Sequence, residues 1–449
     1  MDNLQTVATA AKQRATHTKT RYYILAMIFI ITSLNYGDRA TLSMAASPMS
    51  QELGLDAVTM GYIFSAFSWA YVVGQLPGGW LLDKFGARRV YFSSIFLWSL
   101  FTIFLGFSDI FGSTGMIISV LFLLRFLIGL AESPAFPGNS SIVAAWFPIQ
   151  ERATAAAIFN SAQYFATVAF APLMGWLVTQ VHWQSIFWVM GGLGILLSFV
   201  WLKVIYSPVN HPRLNPDELE QIKAGGGLIH MGEDQGNTQS TKKITFAEIK
   251  QLLSSRMLLG IFIAQYCINC LTYFFLTWFP VYLVKEREMT VLQAGFAAIA
   301  PALCGFIGGI LGGVVSDYLL KRNLSQTAAR KLPIIIGMLL STTIIICNYV
   351  ESHTAIIFFM SLAFFGKGFG SLGWAVMSDV APKEMIGLSG GLFNTFGNTA
   401  GIVIPIVIGY IISTTGSFNG ALIFVGIHGM IALLSYLFMV GKIERFQLK

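Results

Sequence analysis

Apolar stretches of about 20 residues recur along the whole chain, separated by short polar turns. They begin near Tyr22, Met60, Arg89, Gly115, Thr154, Ile186, Leu258, Ala294, Leu332, Ala355, Gly387 and Asn419. Each exceeds the ~18–20 residues that a helix needs to cross a bilayer. Each must be helical, because hydrocarbon offers backbone amides no other partner. The pattern predicts an all-α membrane protein of about twelve transmembrane helices. The first stretch follows a polar, basic leader, is too long for a signal-peptide core and has no small-residue cleavage site after it. It is expected to remain as a membrane helix.

The apolar pattern breaks once, at about Ser207–Arg256, where Pro208, Pro212, Pro216 and Gly225-Gly226-Gly227 cluster. The expected division is a six-helix bundle over 1–206, a cytoplasmic linker over 207–255 and a second six-helix bundle over 256–449. Within the linker, Asn215-Pro216-Asp217-Glu218 reads as a helix start with Asn215 as N-cap, and Thr245–Leu253 as a short amphipathic helix. The two halves repeat at a separation of 234 residues. Gly78-Gly79-Trp80-Leu81-Leu82-Asp83 falls on Gly312-Gly313-Val314-Val315-Ser316-Asp317. Pro148 falls on Pro382, Phe159-Asn160 on Phe393-Asn394, and Asn35 on Asn269. A parallel duplication places a pseudo-twofold axis along the membrane normal and a solute site near the midplane, between the halves.

Composition fits this frame: 449 residues, 55% hydrophobic and 11% charged, values of a polytopic membrane protein. The net charge of +7 is no nucleic-acid signal, since the basic residues sit on alternate loops. These are Lys12, Arg14, Lys19 and Arg21; Lys84, Arg88 and Arg89; Arg152; the middle loop; Lys321, Arg322, Arg330 and Lys331; Lys383; and the tail. The other loops carry only Lys285 and Arg287. By the positive-inside rule the basic loops and both termini are cytoplasmic. Cys267 and Cys270 have CxxC spacing, but no second ligand pair accompanies them, and all four cysteines read as helix-packing residues. No GxxxxGK[ST] run suggests ATP hydrolysis, and the histidines form no zinc-like pair, so no cofactor or metal is expected.

Charge inside the apolar stretches changes the picture most. A charged side chain at the helix centre costs roughly 2.5–3.5 kcal/mol even on the lenient insertion scale, so it marks an aqueous pathway or a charged-solute site. Five such residues occur: Asp38, Arg39, Arg125, Glu132 and Lys367. Asn35, Asp38 and Arg39 fall on one helical face, with Tyr36 beside them. Arg125 and Glu132 share another face, ~10 Å apart along the axis. Asp38–Arg39 and Arg125–Glu132 could be structural ion pairs, but such pairs return little stability against desolvation. A carboxylate in a partly dry site can instead carry a proton. Three cations stand against two carboxylates, so protonating either carboxylate makes the site more positive and favours an anion. Anion and proton then assist each other's binding. Tyr71, Asn160, Gln163, Ser371, Trp374, Asn394 and Asn398 could complete a sugar-like cavity, since amides both donate to and accept from hydroxyls.

The loop Gly79-Trp80-Leu81-Leu82-Asp83-Lys84-Phe85-Gly86-Ala87-Arg88-Arg89 resembles the cytoplasmic loop between helices two and three of the major facilitator superfamily. Asn35-Tyr36-Gly37-Asp38-Arg39-Ala40, Phe64 to Tyr71, Arg125 through Glu132 to Asn139, Trp278-Phe279-Pro280, Phe364 to Gly368 and Gly390 to Asn394 extend the likeness over nearly the whole chain. Together they resemble the anion:cation symporters of that superfamily, and among them bacterial D-glucarate/galactarate permeases. The resemblance implies a twelve-helix major facilitator fold in the bacterial inner membrane and proton-coupled uptake of a sugar acid. It implies that Asp38 and Glu132 carry protons. Tyr36, Arg39, Tyr71, Arg125, Gln163, Ser371, Trp374 and Asn394 would lie in or near the sugar-acid site. Gly79, Asp83, Gly86, Arg88, Arg89 and Asp317 would latch one gate state. Lys367 adds a cation beyond what a monocarboxylate needs, which favours a dicarboxylate such as glucarate or galactarate. A galactonate or hexuronate symporter and an organophosphate/phosphate antiporter are the alternatives within the transporter class. A solute sensor or an intramembrane enzyme finds no signalling domain and no nucleophile–base pair to support it. The expected partners are the anionic sugar acid, protons and the bilayer, with the chain acting as a monomer.

Overall fold

The structure, a computed structural model, describes residues 19–230, 246–382 and 385–447, and every regular element among them is helical. Helix α1 (Thr20–Leu53) has 34 residues, about 51 Å at 1.5 Å per residue, and ends on Gly54 at φ 66°. Its first turn has no side-chain cap of its own. Glu218, from the linker, accepts the Thr20 and Arg21 backbone N–H groups at 3.1 and 3.2 Å, placing a carboxylate at the positive end of the helix. α2 (Ala57–Phe85) starts on the cap Asp56, whose carboxylate accepts from Thr59 N–H and is held below its ordinary pKa by that bond. Gly86, at φ 80°, makes the turn into α3 (Ala87–Leu105). α4 (Thr114–Glu132), α5 (Ala135–Trp146), α6 (Arg152–Gln180) and α7 (Gln184–Val204) complete the first part.

In the linker, α8 (Pro216–Ala224) begins where the sequence places it, with Asn215 Oδ1 accepting from Glu218 N–H at 2.8 Å. α9 (Phe246–Ser254) lies within a residue of its expected span. The second part comprises α10 (Arg256–Thr277), α11 (Phe279–Lys285), α12 (Val291–Ala297), α13 (Ile299–Lys321) and α14 (Gln326–Ser341). It continues through α15 (His353–Phe369), α16 (Gly373–Val380), α17 (Ile386–Thr415) and α18 (Asn419–Leu434). Among the described residues, ten segments are long and apolar enough to cross a membrane. α1 and α3, which carry Asp38-Arg39 and Arg88-Arg89, complete the expected twelve. Lys12, Arg14 and Lys383, counted among the basic loop residues, lie outside the described residues.

The repeat seen in the sequence is a repeat of packing. A Cβ on Gly61 of α2 would meet the Pro405 carbonyl of α17 at 2.5 Å, and one on Gly295 of α12 would meet the Ala171 carbonyl of α6 at 2.5 Å. A Cβ on Gly409 of α17 would meet the Ala57 carbonyl at 2.5 Å, and one on Gly175 of α6 the Val291 carbonyl at 2.9 Å. All these partners are related by the same 234-residue separation, as a pseudo-twofold axis requires. Small residues let the helix backbones touch there. Ser43 Oγ to the Thr277 carbonyl (2.7 Å), Lys285 Nζ to Ser50 Oγ (3.2 Å) and Tyr62 to Tyr410 hydroxyls (3.2 Å) join the two parts at the same end. That end carries the Leu53–Asp56 turn and lies opposite the Asp83–Arg89 loop.

Candidate functional site

The membrane-depth charges assemble around the middle of α1. Arg39 Nε donates to Glu132 Oε2 at 2.9 Å, and both side chains are nearly or fully buried. The Arg39 guanidinium lies 4.9, 4.8 and 4.8 Å from the ring centres of Tyr36, Phe67 and Tyr71. Each such contact contributes about 0.5–2 kcal/mol, so three rings offset much of the cost of burying this cation. Phe67 and Tyr71 stack on each other at 5.5 Å, which fixes the floor of the cage. Arg125 also approaches Phe67, 5.3 Å from its ring centre, with Nε and Nη1 buried and unpartnered. Glu132 Oε1 and Asn35 Nδ2 are also buried without a hydrogen bond.

One alternative fails and one expectation needs correction. Asp38 does not pair with Arg39, because neighbouring helical residues point ~100° apart. Asp38 turns instead into the first bundle, 1% exposed, with neither carboxylate oxygen hydrogen-bonded. The Trp98 indole N–H lies near it without closing a bond. The five charges also do not share one chamber. A cavity lies between the two parts of the chain. Tyr36, Gln163, Tyr164, Thr272 and Lys367 line it, but Asp38, Arg39, Arg125 and Glu132 do not. The aromatic cage closes over Arg39 and leaves Tyr36 as the shared wall between cavity and ion cluster.

Lys367 is the cation that reaches the cavity. It is 8% exposed, and its ammonium lies 5.1 Å from the Phe364 ring centre and 5.9 Å from that of Tyr164, with no ion pair among the described residues. Thr272 Oγ1, which also lines the cavity, is buried and unpartnered. Gln163 lines the same space and donates back to the Asn160 carbonyl at 3.2 Å. Ser371 and Trp374 are exposed and off the cavity wall; Trp374 packs edge-on against Phe393 at 4.8 Å. Asn394 Nδ2 donates to Gln75 Oε1 at 3.3 Å, bridging α17 and α2. Asn398 then donates to Asn394 and accepts from the Tyr273 hydroxyl at 2.8 Å. Tyr273 lies within electrostatic reach of Arg39, Tyr36 and Tyr71, so this chain of bonds leads from one part to the ion cluster of the other.

Gln75, Tyr164, Thr272 and Tyr273 are site residues that the motifs did not single out. The repeat carried the signal: Thr272 and Tyr273 occupy the second-half positions of Asp38 and Arg39, and Tyr164 the first-half position of Asn398. The loop residues are dispersed. Asp83 and Arg89 are exposed and have no ion pair among the described residues, while Arg88 donates to the Leu202 carbonyl at 2.6 Å and covers Tyr206 at 4.0 Å. Gly79 has open space around its Cβ position. Asp317 lies 3.6 Å from Arg330, which also donates to Asp379 at 2.9 Å and Ser316 at 3.1 Å. Among the described residues the four cysteines are free and no metal-ligand cluster occurs.

The family model described as Major Facilitator Superfamily matches residues 28–405. The chain belongs to the Major Facilitator Superfamily. It is a membrane transporter, not an enzyme, and the helix arrangement above is the major facilitator fold. It is 62% identical over 449 residues to the "Probable galactarate/D-glucarate transporter GudP" of Escherichia coli (strain K12), covering 100% of this chain and 99% of that one. It is 60% identical over 432 residues to the protein of the same name from Bacillus subtilis (strain 168), covering 96% and 94%. Among solved structures, the bacterial homologue of the human lysosomal transporter Spinster, inward-facing and unoccupied, superimposes with a TM-score of 0.65 at 16% identity, over 94% and 95% of the two chains. That likeness concerns the fold alone.

Proposed function

We infer that this transporter imports galactarate and D-glucarate with protons across a bacterial cytoplasmic membrane, both termini facing the cytoplasm. The observation that carries the reading is the pair of cationic anchors on the two sides of Tyr36. Lys367 stands unpaired in the cavity, and Arg39 waits behind the ring with Glu132 as its placeholder. One carboxylate of the solute takes Lys367. The other replaces Glu132 on Arg39, whose planar fork suits a carboxylate. Glu132, displaced from its cation in a dry site, then holds a proton, and Asp38, buried without a partner, holds a second. Tyr36, Tyr71, Gln163, Ser371, Trp374 and Asn394 serve the hydroxyl groups along the path.

The distribution of inter-part contacts supports an inward-facing state. The interlocked glycines close the end that the basic loops avoid, and Asp83, at the other end, is unlatched. The residues 1–206 and 256–449 move as two bodies around the cavity, with Gly79, Asp83, Gly86, Arg88, Arg89 and Asp317 engaging when the inner side closes. A binding series tests the reading. Isothermal titration of the purified protein should show galactarate and glucarate binding at least about tenfold tighter than galactonate or glucuronate. Tighter binding of galactonate would make the protein a hexonate carrier. Uptake that depends strictly on internal phosphate would make it an exchanger.

A further inference from the structure

A second concave surface lies away from the solute path, on the membrane-facing side of the first bundle. It is a groove between α2, α3 and α4, with Arg89, Ser93, Leu97 and Phe101 forming one wall at four-residue spacing along α3. Leu127, Leu130 and Pro134 supply much of the opposite wall, and Phe85 stands at the mouth. Ser94 Oγ donates to the Ala131 carbonyl behind the groove and seals its floor. From Arg89 to Phe101 the stripe runs about 18 Å at 1.5 Å per residue. That is close to the depth of one leaflet of a ~30 Å hydrocarbon core.

The mouth of the groove is polar. Arg89 is exposed and makes no hydrogen bond or ion pair among the described residues, and neither does the Ser93 hydroxyl one turn deeper. Lys84 is held over Trp80 at 4.7 Å and over Phe85 at 5.3 Å, which keeps a second ammonium at the same rim. Arg88 is taken up by the Leu202 carbonyl, and Asp83 is a carboxylate of the same loop. Two free cations against one carboxylate, above an apolar slot one leaflet deep, match a single kind of molecule. Trp80, exposed beside them, marks the interfacial depth where a headgroup sits.

We propose that this groove is a binding site for an anionic glycerophospholipid of the inner leaflet. Its phosphate rests on Arg89 and Lys84, its ester region on Ser93, and one acyl chain lies along Leu97 and Phe101. The site does not depend on which solute the transporter carries. Native mass spectrometry of the delipidated, detergent-purified protein, given equal amounts of dioleoyl-phosphatidylglycerol and dioleoyl-phosphatidylcholine, tests it. Each cation near an anionic headgroup contributes roughly a fivefold preference, so the wild type should retain phosphatidylglycerol about five- to thirty-fold over phosphatidylcholine. The double variant Lys84→Gln/Arg89→Gln should retain the two lipids equally. Leu97→Trp, which fills the slot and leaves the cations in place, should lose the tightly held lipid and keep the thermal midpoint of the wild type. Equal retention of both lipids by the wild type would reduce the groove to ordinary annular surface. An undiminished preference in either variant would overturn the assignment as well.

Discussion

Replacing Lys367 by methionine should weaken binding of a dicarboxylate and leave the fold intact or slightly more stable. The two effects have opposite signs, which makes the substitution informative. In the unloaded protein Lys367 is an ammonium 8% exposed, with aromatic rings at 5.1 and 5.9 Å and no carboxylate. Desolvating such a charge is costly, and an apolar side chain of similar volume removes the cost. The loaded protein loses a charge-assisted hydrogen bond worth about 1.5–3 kcal/mol. At 1.4 kcal/mol per decade this is about a 10- to 150-fold rise in the dissociation constant for galactarate. Galactonate has no second carboxylate and should lose less than about threefold, the scale of a weak polar contact. Titration calorimetry with both acids, alongside a thermal-unfolding scan, reads all three quantities. An equal loss for galactarate and galactonate would refute the assignment of Lys367 to the second carboxylate. A lowered unfolding midpoint with unchanged affinity would make Lys367 a structural residue.

Other perturbations probe separate parts of the account. Glu132→Gln keeps an oxygen near Arg39 but removes the charge and the titration, so proton-driven accumulation should fall at least about tenfold while solute exchange in counterflow persists; accumulation at the wild-type level would contradict a proton role for Glu132. Asp38→Asn should retain galactarate binding within about threefold, since Asp38 does not line the cavity, and should lower the number of protons moved per solute; an unchanged stoichiometry speaks against it. Gly295→Leu would force the Ala171 backbone away, so cysteine accessibility should shift toward the outward-open state; unaltered accessibility would mean that the glycine contact does not hold the outer gate. The Asp56 cap is held below its ordinary pKa by Thr59, so its stabilisation is fully present above about pH 4 and fades as pH falls through the lowered value. Protection of the start of α2 against hydrogen exchange, relative to the intrinsic rate at each pH, should therefore fall only in acid, and Asp56→Asn should flatten that dependence.

The helix count and the repeat were legible because bilayer thickness and backbone hydrogen bonding leave few choices. A run such as Asn419–Met439 can only be a helix, and a 234-residue echo can only be a duplication. The charged residues were equally conspicuous, since their cost in hydrocarbon makes each an exception. Their pairing was not. Asp38 and Arg39 are neighbours in sequence and diverge by the helical turn, and Arg39 meets Glu132 across 93 positions. The aromatic cage that separates Arg39 from the cavity needs Tyr36, Phe67 and Tyr71 from two helices, and no local pattern announces it. Thr272 and Tyr273 were hidden for another reason. They look like ordinary residues of an apolar helix until the repeat aligns them with Asp38 and Arg39.

The central claim is that an acid solute and a proton move inward together through this chain. Purified protein in liposomes, with labelled galactarate outside and no solute or phosphate inside, tests it most directly when internal pH is recorded at the same time. The account predicts accumulation above the external concentration when the outside is more acidic, internal acidification in step with uptake, and loss of both with a protonophore. Accumulation unaffected by the protonophore, or uptake with no accompanying proton flux, would contradict it.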